Sequence, residues 1–139
     1  MRPILFLLVL GTLAVNSTFA QKQSYKVAIV GFYNLENLFD TIDNPMVDDN
    51  EFSPNGPRRY DATIYKDKLT KLATVISQMG TEMNPDGPAI LGVAEVENDT
   101  VLQDLVRHPL LEKRGYRIVH YDSRDARGID VGFLYNPKY

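Results

Sequence analysis

The chain has 139 residues, 44% of them hydrophobic, a formal net charge of −3 and no cysteine. The missing cysteines exclude disulfides, thiolate metal sites and a lipid-bearing cysteine. The slightly acidic balance gives no support for a broad nucleic-acid-binding surface.

Met1–Ala20 carries one charge at Arg2, an apolar run from Ile4 to Leu10 and a small-residue end at Ala20. This is the pattern of a secretory signal peptide, too short and too weakly flanked for a stable membrane anchor; a retained membrane helix is the competing reading. Cleavage near Ala20 would place the protein in a secreted or periplasmic compartment. The remaining 21–139 segment holds 14 basic against 18 acidic side chains, net −4, and is long enough for one small domain.

Lys26 to Tyr33 (KVAIVGFY) reads as a strand buried on both faces, because Val27 to Val30 is a near-continuous apolar run. It runs into Asn34, Glu36, Asn37 and Asp40 interleaved with Leu35, Leu38 and Phe39, a mixture of oxygen donors and apolar anchors that suits a site better than a connector. Thr41 to Asp61, with Pro45, Pro54 and Pro57, reads as a long loop of the kind that is functional or mobile. Helical spacing follows, with Tyr65, Leu69, Leu72, Ala73, Ile76 and Met79 on one stripe and Lys66, Lys68 and Lys71 off it; Asp61 is the expected N-cap and Gly80 the stop.

A second buried strand is expected from Ala89 to about Glu95. A short helix capped by Asn98 or Asp99 comes next, turning Val101, Leu102, Leu105 and Val106 inward and ending before Pro109. Tyr116 to Tyr121 and Ile129 to Tyr135 read as an antiparallel hairpin, whereas the first two strands, joined through a helix, are expected to be parallel neighbours. The fold class is therefore α/β, with a mixed sheet and flanking helices.

In open α/β sheets, reactive side chains gather outside the carboxyl ends of parallel strands. Asn34 and Glu95 end the first two strands and should share a crevice. An amide oxygen and a carboxylate are hard ligands that suit Mg2+, with Mn2+ or Ca2+ as substitutes, and they fit zinc or copper poorly. Magnesium held this way commonly completes its shell with substrate phosphate, so the pair points to phosphoryl chemistry and a phosphoester substrate. Asn34 can equally be a turn cap. Glu95 follows an apolar strand, where an unpaired acid is costly. Glu97 and Asn98 read as supporting or capping residues, and Glu36 as either of these. His108 and His120 lack a partner at recognisable spacing and read as structural.

FYNLENLFD, GVAEVEN and RGIDVGFLYNP resemble, in order and spacing, the first three blocks of the endonuclease/exonuclease/phosphatase superfamily, which includes deoxyribonuclease I, abasic-site endonucleases, sphingomyelinases and inositol-polyphosphate phosphatases. The resemblance implies a four-layer α/β-sandwich of which this chain is the N-terminal half. The family's later blocks, with a histidine-bearing strand end, a GDxN segment and a terminal Asp-His, have no counterpart here. It implies that Asn34 lies in the metal and phosphate site and that Glu95 is the principal metal ligand. It also implies that Asp130 orients a catalytic histidine and that Arg127 contacts phosphate, unless that arginine is merely solvated. Arg58 and Arg59 are further phosphate contacts if the Thr41–Asp61 loop sets specificity; the same loop can be a solvated excursion.

The function expected is a secreted magnesium-dependent phosphodiester hydrolase, with a nuclease as the leading form. A phosphatase or phospholipase on a small phosphoester is the enzyme alternative. A secreted binding module that keeps the fold without the chemistry is the alternative of another class. Nucleic acid is a candidate substrate partner, and no stable membrane anchor is expected.

Overall fold

A computed structural model describes residues 25–139; the signal peptide expected over residues 1–20 lies outside the described residues. Four strands and two α-helices follow in the order β1 (Ile29–Leu38), α1 (Ala62–Gln78), β2 (Pro88–Val96), α2 (Asp99–Arg107), β3 (Arg117–His120) and β4 (Asp130–Tyr135), with single 3-10 turns at Asn50–Phe52 and Glu112–Arg114. The strands form one mixed sheet in the order β1-β2-β4-β3. β1 and β2 are parallel, joined through α1, and β4 runs antiparallel to both of its neighbours. No helix among the described residues is long and apolar enough to cross a membrane.

Local chemistry sets the helix ends. The Asp61 carboxylate accepts from the backbone N–H of Thr63 and Ile64, and the Asn98 side chain accepts from Val101 N, so each helix begins at a capped orphan donor. The apolar stripe of α1 buries Leu69, Leu72, Ala73 and Ile76; α2 buries Val101, Leu102 and Leu105. Both stripes pack on Leu91, Val93 and Leu134 of the sheet to form the main core. Burial of that kind stabilises by about 1.5–3 kcal/mol for each large aliphatic side chain.

The other face of the sheet is bare. Val30, Phe32, Ile90, Val131 and Phe133 alternate with the core residues along their strands and remain 43–72% exposed. Register places them side by side, Val30 opposite Ile90 and Phe133 opposite Gly92. The expectation of strands buried on both faces therefore holds for one face only, because both described helices lie on the same side.

The Thr41–Asp61 segment is not a solvated excursion. Phe39, Tyr60 and Ile129 are buried in a small second core with Phe52 packed against them. The Phe39 and Phe52 rings stack at 4.1 Å, and Tyr60 meets Phe52 edge-on. The Tyr60 hydroxyl donates to the Phe39 carbonyl, and Asp48 N donates to Ala126 O, tying the loop to the β3–β4 connection.

Candidate active site

β1 is longer than its apolar run suggests, and the break in its pattern is a bulge. Pairing with β2 is regular to Asn34–Ala94 and resumes at Leu38–Val96, so Leu35, Glu36 and Asn37 on β1 face the single residue Glu95 on β2. Glu36, Asn37 and Glu95 all take left-handed backbone conformations, with φ of 54°, 60° and 59°. Such conformations are uncommon outside glycine and cluster at functional sites. Leu35 and Leu38 are fully buried and anchor the bulge, while Glu36 and Asn34 project outward.

The bulge brings the two predicted residues into contact. Asn34 Nδ2 donates to Glu95 Oε1 at 2.9 Å, and Asn34 Oδ1 accepts from Glu36 N at 2.7 Å. Asn34 thus closes a turn on its own backbone with its oxygen while its amide group holds the Glu95 carboxylate. Of the pair, Glu95 carries the anionic oxygens available to a cation.

Around this pair the acids are shared out among several partners. Glu97 Oε2 accepts from Asp40 N at 2.6 Å, and Asn98 Nδ2 donates to Asp40 Oδ2 at 3.2 Å while its own oxygen caps α2. Burial, with smaller repulsion from Asp40 and Asp49, pushes the Glu97 carboxyl up to about 7. Asp130 is buried at the start of β4, and its Oδ1 accepts from Ser123 N at 2.7 Å. Glu95 and Asp130 line one crevice of about 240 Å³ with Ser123 and Asp125, so the three residues singled out on the sequence converge on one end of the sheet.

The arginines are placed less directly. Arg127 is clamped by Asp125 through two side-chain contacts of 3.1 Å, which raise its affinity for its proton; Glu95 adds a smaller attraction. Arg58 pairs with Glu51 at 2.8 Å, lies over the Phe52 ring, and lines a separate cavity of about 420 Å³ with Lys68 and Lys71. That larger cavity includes Glu36 but neither Asn34 nor Glu95. Arg59 is not among its lining residues and occupies a left-handed position in the loop.

Two further side chains reach this end of the sheet. Lys68 lies off the apolar stripe of α1, yet its Nζ donates to the Glu36 carbonyl at 2.6 Å across the bulge. Burial lowers its pKa, opposed by the charges of Glu36 and Glu95. Its position along α1, roughly level with Leu69, was the available signal. Sequence spacing leaves His120 without a partner, but the structure gives it one. Its Nε2 lies 3.2 Å from Asp130 Oδ2, a neighbour supplied by the strand pairing and not by sequence spacing.

A family model described as the endonuclease/exonuclease/phosphatase family matches residues 29–139, all of the sheet and both helices. The chain belongs to this family. Membership makes the domain one of phosphodiesterase, nuclease or phosphatase type, a hydrolase class acting on phosphoesters and typically dependent on a divalent metal. No curated protein and no solved structure matches the chain.

Proposed function

We propose that this chain is the N-terminal half of a secreted, magnesium-dependent phosphodiester hydrolase, with nuclease action as its leading form. The observation that carries the reading is the Asn34–Glu95 contact at the carboxyl ends of neighbouring parallel strands, within a domain of this family. The donor chemistry fits magnesium: the Glu95 carboxylate is a hard oxygen ligand, held in place by the Asn34 amide group. Once bound there, the ion would neutralise charge on the phosphate oxygens.

Glu95 would hold that ion. Asn34 fixes the Glu95 carboxylate, and Glu36 N fixes Asn34, so the ligand is oriented before substrate arrives. Lys68 sits close enough to add positive charge beside the bulge. Asp130 faces the same crevice as Glu95, and Arg127, held by Asp125 through Nε and Nη2, keeps Nη1 for phosphate. Support for the half-domain reading comes from the bare apolar sheet face of Val30, Phe32, Ile90, Val131 and Phe133, which a second sheet packing there would cover.

The test is hydrolysis by the full-length protein of DNA, RNA and small phosphomono- and phosphodiesters, with magnesium and with chelator. Magnesium-dependent turnover of a nucleic acid is the expected result, and residues 21–139 alone should turn over none of these substrates. A full-length protein inactive on every class would overturn the reading.

A further inference from the structure

We propose that His120, Asp122 and Asp130 form a binding site for a divalent transition-metal ion, zinc first, at the carboxyl end of β3. One ligand atom from each of the three lies within 4.8 Å of the other two. The His120 side chain is only 4% exposed, and its Nε2 is buried without a hydrogen-bond partner among the described residues. Leaving such an atom unpaired is costly, and a native structure rarely leaves one without a reason.

The Asp130 geometry supplies the reason. Ser123 N holds Oδ1 at 2.7 Å, which turns Oδ2 toward the imidazole at 3.2 Å, out of line for a hydrogen bond. Two ligands each about 2.0–2.2 Å from a tetrahedral zinc ion stand about 3.3–3.6 Å apart, so this pair is already near the edge length of a shared ion. The Ser123–Asp130 bond also draws the neighbouring Asp122 to the site from the exposed side. One imidazole with two carboxylates suits a first-row transition metal better than magnesium, which favours oxygen alone.

Entry is open. Asp122 and Asp130 line a cavity of about 340 Å³ whose other walls include Glu97, Asn98 and Asp125, an acidic approach for a cation. This cavity adjoins the crevice that holds Glu95 and shares Ser123, Asp125 and Asp130 with it, while Glu95 itself lies outside. The proposal does not rest on the magnesium reading of Asn34 and Glu95.

Zinc titration of the full-length protein by calorimetry, with magnesium in excess, and cobalt titration followed by visible absorption test it. One zinc per chain is expected, with binding weakened at least about tenfold by His120→Asn and by Asp122→Asn, and unchanged by His108→Asn. Should His120→Asn fail to fold, Asp122→Asn on the exposed side decides the matter. No zinc uptake, or uptake indifferent to Asp122→Asn, would overturn the assignment.

Discussion

The two ends of the β1–β2 pair solve the same geometric problem with different residues. Where β2 begins, the left-handed backbone positions fall to glycine: Gly80 after α1, Gly87 before β2 and Gly115 before β3. Where β2 ends, they fall to Glu36, Asn37 and Glu95, with Arg59 in the Thr41–Asp61 loop and Gly128 beside them. Glycine takes such a conformation without penalty, whereas other L-residues are strained by about 1–2 kcal/mol. The first end is thus built for stability alone. The second accepts strain to aim a carboxylate, which is how a site differs from a turn.

Anchoring differs in the same sense. At the glycine end Arg114 donates to the Ile76 and Ser77 carbonyls in the last turn of α1, and the Tyr116 hydroxyl donates to Pro88 O. Cations there satisfy a helix C-terminus. At the opposite end the acids Glu95, Glu97, Asp40 and Asp130 gather, Asp40 repelling the Glu97 carboxylate, while Lys68 donates to the Glu36 carbonyl across the bulge.

Substitutions at the two ends should therefore separate stability from activity. The largest change in stability is expected from Arg114→Ala, which strips two helix-end carbonyls of their donor and should destabilise by about 2–3 kcal/mol. Denaturant unfolding would measure it, while turnover per folded molecule should be unchanged. A loss of turnover in folded Arg114→Ala would blur the division of labour between the ends.

Glu97 sharpens the contrast through pH. Burial lifts its carboxyl from 4.5 to about 7, so the folded state keeps a proton that the unfolded chain releases. Its contribution is full below 4.5 and is lost as pH rises through about 7. Glu97→Gln removes that titration and should raise stability at pH 8 by about 1–3 kcal/mol, with little effect at pH 4. Thermal melts at the two pH values would check it; an equal effect at both would show that Glu97 is not held protonated.

The smallest effects compare the strained residue with the unstrained one. Glu95→Gly relieves the left-handed strain and loses one hydrogen bond, for a net gain of up to about 1 kcal/mol. Gly87→Ala introduces that strain and presses a methyl group on the Arg114 guanidinium, for a loss of more than about 1 kcal/mol. Opposite signs in unfolding free energy are expected. A destabilised Glu95→Gly would mean that the bulge is held by the glutamate itself.

Much of this layout was legible in the sequence, for local reasons. The caps at Asp61 and Asn98, the apolar stripe of α1 and the helix between β1 and β2 each rest on contacts a few residues apart, and together they bring Asn34 beside Glu95. The bulge was not legible, since nothing in the residue types of Glu36 or Glu95 announces a left-handed backbone. Nor was the partner of His120, because Asp130 reaches it only through the β3–β4 register. The loop from Thr41 to Asp61 was read from its prolines and acids, while its order comes from Phe39, Phe52 and Tyr60 meeting in space.

The measurement that bears most directly on the account is the magnesium-dependent turnover of full-length Glu95→Gln against the unsubstituted protein, with circular dichroism and melting recorded on both. Glutamine keeps the shape and an oxygen for Asn34 Nδ2 but removes the anionic ligand. A fall in turnover of at least about 100-fold with an intact fold is predicted, in line with the loss of a principal electrostatic group. Turnover within a few-fold of the unsubstituted enzyme would contradict the assignment of Glu95 as the residue that holds the metal.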